Sequence, residues 1–470
     1  MLAGGRWSQG TGQDAYTMTD PATGEPLGVV AVSGPADVAE AVAAAGDAAP
    51  GWAATPAADR GAALHAAARA VEERADELAA LVTAEMGKPS GDALGGVEAG
   101  IGTLRQYAEL GPLHGGRSLQ GGWRAADFMV REPRGVVAVI TPWNDPVAIA
   151  CGLVGAALAT GNTVVHKPSE RTPHTGALLA ELLGGSLPDG VLNLVTGGAA
   201  TGEALAGHPD ADVVAHVGST AAGRRVAELA LRTGARTVLE NGGCDPLIVD
   251  GDVDPEWAAG QAALGCFANA GQICTSVERV YVHEAVAEPF LEALTERARG
   301  LRMGPGAEEG TELGPLVDER HRTHVHQQVE KAVADGARLL AGGRIPPGPG
   351  AFYPATVLAG CADAMPIMAE EVFGPVAPVR TVASFDHALD AARRSRHGLA
   401  ATVLTRDMAH AQAAWRTLNV GTVKVNAVFG GAPGGAAEPR RGSGRGFGYG
   451  PELLDEMTTV KAVHIQTDVP

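Results

Sequence analysis

Cysteine is scarce in this 470-residue chain. Five occur (Cys151, Cys244, Cys266, Cys274 and Cys361), an odd number at irregular spacing with no Cys-x-x-Cys pair. That pattern excludes a disulfide framework and offers no zinc site; it suits reduced thiols in a cytoplasm, one of them free to react. Positive charge is also short. Lys and Arg number 36 against 54 Asp and Glu, a net charge of -18 at pH 7, which disfavours nucleic acid or an anionic membrane surface as the main partner. No repeat of solenoid period is present. The first twenty residues hold no apolar run of signal-peptide length, so export is not expected. The longest apolar stretch, VVAVITPWNDPVAIACGLVGAALAT (136 to 160), could span a bilayer by length, but Asn144 and Asp145 stand between two prolines inside it. It reads as a buried strand, a functional turn and a buried helix.

At this length two or three packed lobes are expected. From about residue 135, short β-rich runs alternate with helical ones: RGVVAVI, then 147 to 160; TVVHK, then 174 to 184; VLNLV, then 201 to 207; DVVAHV, then 220 to 232; TVLE. Apolar strands separated by helices, with Gly, Pro and Asn at the joints, predict a doubly wound parallel sheet. A second alternation follows in PLIVD, helix 254 to 268, ERVYVH, helix 286 to 298, helix 319 to 335, ARLLAGG and ATVLT. Before both, the Ala-rich stretch 37 to 86 reads as two long helices. The glycine-rich tail 433 to 450 reads as loop, either a lid or a linker.

Several short stretches carry chemistry-bearing side chains, and each has a plainer reading. Cys274, in FANAGQICTSVERVYVH, stands among small residues at the lip of a strand; it is either a nucleophile or a packing thiol. Asn144, in TPWNDP, lies past the end of RGVVAVI, where open α/β sheets place ligand-binding residues; its amide either donates to an oxyanion or closes a turn. Glu240, in LENGG, is a general base or a solvated strand end. GSTAAGR is a phosphate site at a helix start or only a capped helix. HKPSE places Lys167 and Glu170 where they either hold a ribose or form a surface pair. EEVFGP adds Glu371 and Phe373, also readable as a capped turn.

Taken in order, TPWNDP, HKPSE, GSTAAGR, LENGG, GQICTS and EEVFGP make the chain resemble the aldehyde dehydrogenase superfamily, from the N-terminal helices to TTVKAV. The resemblance implies an α/β fold: a Rossmann-like cofactor domain (1–112 and 133–242), a second α/β catalytic domain (243–449) and a small β oligomerisation arm (113–132 and 450–470). It implies Cys274 as nucleophile, Glu240 as general base, and Asn144 with the Cys274 backbone N–H as oxyanion hole. Trp143, Lys167, Ser169, Glu170, Gly218, Ser219, Glu371 and Phe373 match cofactor contacts. Glu170 favours NAD over NADP, with dual use left open. Asp145, Cys151, Ile273, Thr275, Val428 and Phe429 are the expected aldehyde pocket. No metal is implied, and the expected assembly is a cytoplasmic homodimer or homotetramer.

The activity so implied is oxidation of an aldehyde to the carboxylic acid through a thiohemiacetal and a thioester. The alternatives are a CoA-acylating relative, which often lacks the glutamate, and a non-catalytic protein on the same fold. Departures from the family pattern are specific. Asn241 follows Glu240 and Cys244 follows the glycines. Leu153 replaces a usual lysine, Gly448 a usual glutamate, and AAEP (436 to 439) a usual Pro-Phe-Gly-Gly. With Leu153 and Gly448, the usual proton relay from the base is missing. Asp145 either draws a polar or cationic aldehyde or bonds the backbone, whereas Arg440 and Arg441 either hold an anionic tail or are simply solvated loop charges.

Overall fold

The computed structural model describes residues 1–12, 14–431 and 435–466. Its first sheet has eight strands in the order Gly444–Arg445, Arg236–Glu240, Val213–Val217, Val136–Ile140, Thr163–Lys167, Leu192–Leu194, Leu2–Ala3, Arg6–Trp7. The five strands from Arg236–Glu240 to Leu192–Leu194 are parallel. Val136–Ile140, Thr163–Lys167 and Val213–Val217 are buried at every position, which is why they read as unbroken apolar runs rather than alternating ones. One face is covered by a core that includes Leu104, Tyr107, Leu153 and Leu158, the other by one that includes Val38, Val42, Val226 and Leu229.

The chain moves outward from Val136–Ile140 through Thr163–Lys167 to Leu192–Leu194, then crosses back to lay Val213–Val217 on the other side of its starting strand. The order therefore reverses between Val136–Ile140 and Val213–Val217. A crevice opens beyond the carboxyl ends of strands at such a point, and TPWNDP and GST occupy those two ends.

The second sheet has seven strands in the order Arg338–Ala341, Thr356–Ala359, Val376–Val382, Val277–His283, Asp245–Val249, Ala400–Leu404, Thr422–Val425. All but the first are parallel to their neighbours. A third sheet pairs Thr458–Gln466 antiparallel with Ala125–Pro133, running from Thr458 opposite Pro133 to Gln466 opposite Ala125, and adds Arg117–Leu119 at its edge. Of the arm expected over 113–132 and 450–470, residues 467–470 lie outside the described residues.

Two local expectations change. The stretch 37 to 86 forms three helices, not two: Pro35–Ala54, Ala57–Glu73 and Ala75–Met86. The first break falls at Thr55-Pro56, where proline disfavours helical backbone before it; the second is at Arg74, whose φ of -121° leaves the helical region. A further helix, Ser90–Leu110, forms despite its glycines. At Gly100 the reason is close approach, since a Cβ there would lie 3.1 Å from the Cys151 sulfur of helix Pro146–Ala159. In the tail, whose residues 433 and 434 lie outside the described set, Gly444–Arg445 pairs with Leu239 and Glu240. This part of the tail is an edge strand beside Glu240. Among the described residues no helix is long and apolar enough to cross a membrane.

Candidate active site

Cys274 is presented by a tight turn between helix Pro255–Phe267 and strand Val277–His283. Asn269 and Ala270 take left-handed backbone there, and Gly271 follows with φ +71°. Only glycine fits at 271, because a Cβ would come within 2.1 Å of the Gly374 carbonyl oxygen. The turn brings the Cys274 S–H to Glu240, whose Oε1 accepts it at 3.6 Å. Glu240 itself is the last residue of Arg236–Glu240, in register with Val217 of the neighbouring strand. The nucleophile candidate thus comes from the second sheet and the base candidate from the first.

Both groups are half-exposed at their surfaces yet crowded by protein. Burial pushes the Glu240 carboxyl above its ordinary range, and the thiol's hydrogen bond pulls it partly back. Burial also pushes the Cys274 thiol well up, and the charges of Glu240 and Asp245 add to that. Burial thus favours the uncharged thiol, whose proton is aimed at Glu240.

Asn144 is nearly buried, and its Nδ2 donates to the Gln272 carbonyl at 3.0 Å. An amide nitrogen carries two N–H donors, so one is left for the cavity that Asn144 and Cys274 both line. Gln272, fully buried, fixes this arrangement: its Nε2 donates to the Asn269 carbonyl, and its Oε1 accepts the Val317 N–H at 2.9 Å.

That cavity encloses about 590 Å³ and runs from Cys274 and Glu240 to Glu203 and Arg225. Of the expected cofactor contacts it is lined by Trp143, Lys167, Ser169, Glu170, Gly218, Ser219, Glu371 and Phe373 together. Lys167 is buried and donates its ammonium to the carbonyls of Pro168 and Gly197, both at 2.8 Å; burial lowers its pKa to about 8. Ser169 Oγ accepts the Arg171 N–H, so that hydroxyl serves a turn. Gly218 donates its N–H to the Glu240 carbonyl, and Ser219 caps helix Thr220–Thr233 by accepting from Ala222. Glu371 Oε1 accepts the Gly243 N–H at 3.1 Å, while burial raises its pKa to about 7. Phe373, at φ +53°, stands edge-on to Trp143 with ring centroids 5.5 Å apart.

Residues that no sequence motif singled out also line this cavity. His321 donates from Nε2 to the Phe373 carbonyl at 2.7 Å; burial lowers its pKa to about 4 although that bond works the other way. His216 has both ring nitrogens buried without a hydrogen-bond partner, and burial lowers its pKa to about 4. An orphaned buried donor, a helix N-terminus and an elongated cavity of this size fit a dinucleotide with its phosphates at the GST turn. The only sequence signal for His216 was its place two residues before Gly218.

The expected aldehyde-pocket residues lie elsewhere, and none of the six lines this cavity. Asp145 pairs with Lys88 at 3.3 Å. Cys151 is wholly buried among the helices, Ile273 and Thr275 flank the thiol half-exposed, and Val428 is buried with Phe429 half-exposed beside it. Lys424 donates to the Val428 carbonyl at 2.7 Å and lies 5.4 Å from the Phe429 ring centroid. Arg440 donates to Asn419, and Arg441 to the carbonyls of Arg393 and Ser395. Leu153 is buried in the apolar core. Asn241 lines the same cavity, with its N–H donating to the Ser443 carbonyl and its Nδ2 to that of Gly442. At Gly448 a Cβ would lie 2.7 Å from Glu240 Oε2, so the base occupies the space a side chain there would need.

Comparison with known proteins agrees in family and fold. The model of the aldehyde dehydrogenase family matches residues 7–463. A solved betaine aldehyde dehydrogenase from Staphylococcus aureus, in complex with NAD+, is similar at 30% identity over 100% of this chain and 95% of that one, with a TM-score of 0.97. An NAD-dependent aldehyde dehydrogenase from Sinorhizobium meliloti is similar at 35% identity over 100% and 95% of the two chains, TM-score 0.97.

Proposed function

This chain belongs to the aldehyde dehydrogenase family, and on that premise we propose how its residues divide the work of an NAD-dependent aldehyde oxidation. The enzyme converts an aldehyde to its carboxylic acid. Cys274 is the nucleophile, Glu240 the base, and Asn144 Nδ2 with the Cys274 backbone N–H the donors for the oxyanion. The observation that carries this reading is the S–H of Cys274 directed at Glu240 Oε1 at 3.6 Å.

As the sulfur attacks the carbonyl carbon, its proton passes to Glu240, which removes the penalty of a buried thiolate. The carbonyl oxygen gains charge and is held by the two N–H donors, of which the Asn144 amide is already oriented by the Gln272 carbonyl. NAD, when bound, accepts the hydride that leaves the thiohemiacetal carbon. Glu240 first releases the thiol proton to solvent; it then takes a proton from water as the hydroxide adds to the thioester, and Cys274 leaves and is reprotonated. With Leu153 apolar and Gly448 bare, Glu240 returns its proton to solvent water rather than to a side-chain relay. A glutamate placed to activate water favours hydrolysis over transfer to CoA.

For the cofactor, Lys167 and Glu170 face the adenosine ribose, Gly218 and Ser219 the phosphates, and Glu371 and Phe373 with Trp143 the nicotinamide half. The eight-stranded sheet and its helices form the cofactor domain and the seven-stranded sheet the catalytic one. The three-stranded sheet, with Val460 and Ile465 exposed, is an arm for a homodimer or homotetramer. Asp145, Ile273, Thr275 and Phe429 shape the aldehyde side, where the Lys88 pair offsets the Asp145 charge.

The test is aldehyde-dependent NADH formation by the wild type and by Cys274→Ala, with and without CoA. Turnover independent of CoA and lost in the variant is expected; activity surviving the substitution would sink the assignment of the nucleophile.

A further inference from the structure

Shortly after Cys274 the strand Val277–His283 carries Glu278, a carboxyl group only 3% exposed. Its Oε2 accepts the Val372 backbone N–H at 2.9 Å and its Oε1 that of Phe373 at 3.1 Å. Burying such a group is costly unless it is bonded, and both of its bonds go to one turn. That turn, Glu371 to Gly374, leads into Val376–Val382, the strand paired with Val277–His283, and sits against the Cys274 turn at Gly271; Glu371, Val372 and Phe373 line the cavity. It is not a relaxed turn: Phe373 has φ +53°, in the left-handed region that non-glycine residues seldom enter. Two further bonds aim it, from the Gly243 N–H to Glu371 Oε1 and from His321 Nε2 to the Phe373 carbonyl.

We propose that Glu278 is a positioning residue for the cofactor, clamping the Glu371–Phe373 turn through its two backbone N–H groups so that the segment bearing the nucleophile also fixes the neighbouring wall of the cavity. The proposal rests on the reading of Glu371 and Phe373 as cofactor contacts. Glu278 touches neither the cofactor nor the substrate; it acts through the turn. Its effect should therefore fall on cofactor binding and leave the thiol and the aldehyde side alone.

Glu278→Gln keeps the volume but sets an amide NH2 against one backbone N–H, and Glu278→Ala leaves both N–H groups unpaired. NADH binding followed by fluorescence should weaken about tenfold in Glu278→Gln and further in Glu278→Ala, the scale of losing one and then two buried hydrogen bonds. KM for NAD should rise in parallel, while KM for the aldehyde and the alkylation rate of Cys274 by iodoacetamide stay within about twofold. A folded Glu278→Gln protein that binds NADH like the wild type would overturn the proposal. So would a loss in which NADH affinity, thiol reactivity and aldehyde KM all fall together, the mark of a merely structural residue. Hydrogen exchange on the wild type, which needs no variant to fold, should find the Val372 and Phe373 amides protected without cofactor; fast exchange there would also overturn it. If the wild type itself bound no NADH while those amides were protected, the cofactor reading would be at fault rather than the clamp.

Discussion

Glu240 and Cys274 meet from two different sheets, with Glu240 Oε1 3.6 Å from the Cys274 sulfur. One side chain ends a strand of the first sheet and the other precedes a strand of the second, so their distance reports how the two halves of the chain are docked.

Glu240→Gln separates the two roles given to the carboxylate. Glu240 helps hold the thiol pKa up, so its removal should lower that pKa and speed iodoacetamide alkylation at neutral pH. Steady-state turnover should nevertheless fall by about 10²- to 10⁴-fold, the usual worth of a general base. A variant with slower alkylation and unchanged turnover would refute both roles.

Gly448→Ala tests the packing of the base. Its Cβ would stand 2.7 Å from Glu240 Oε2, closer than such contacts tolerate, so Glu240 must move. We expect kcat to drop by about tenfold or more, since small misplacements of catalytic groups are costly, with NADH affinity unchanged. A variant as active as the wild type would mean that Glu240 has room to spare.

His216→Phe should stabilise the free protein by about 1–2 kcal/mol, because two buried nitrogens without partners disappear. It should also remove a pH dependence. The ring takes a proton at its ordinary value of 6.5 when unfolded but only near 4 when folded. Unfolding in that window therefore takes up a proton, and the stability present above pH 6.5 is lost as pH falls toward 4, by about 3 kcal/mol. Denaturant unfolding of both proteins across pH 4 to 7 measures the difference, which should widen as pH falls.

Glu371→Gln should show the opposite sign. Its carboxyl is raised from 4.5 to about 7 in the fold, so the folded state holds the proton that the unfolded state releases. The stability it contributes is present below pH 4.5 and is lost as pH rises through 7, by about 3 kcal/mol. The variant should gain on the wild type over that range in the same unfolding experiment; a constant difference would place Glu371 in a more solvated setting than its burial indicates.

The strand and helix alternation was legible because strands such as Val136–Ile140 and Val213–Val217 are buried on both faces, which leaves no polar position to blur the run. Cys274, Glu240 and Asn144 were legible through motif order. Glu278 was not: beside a strand start it reads as one more charge, and its meaning lies in a turn nearly a hundred residues away. His216 and His321 failed for the same reason, since orphaned nitrogens and a bond to the Phe373 carbonyl are set by packing. Helix Ser90–Leu110 was hidden by its glycines, whose poor helix propensity is overridden by close packing against Pro146–Ala159.

The most direct measurement of the central claim is the intact mass of Glu240→Gln, quenched after mixing with NAD and an aldehyde that the wild type oxidises. The account predicts that NADH forms to no more than one equivalent per site, more slowly than in the wild type because the thiol has lost its proton acceptor, and that an acyl group accumulates on Cys274, located by peptide mapping, because the thioester is not hydrolysed. No adduct despite NADH formation, or an acyl group on another cysteine, would contradict it.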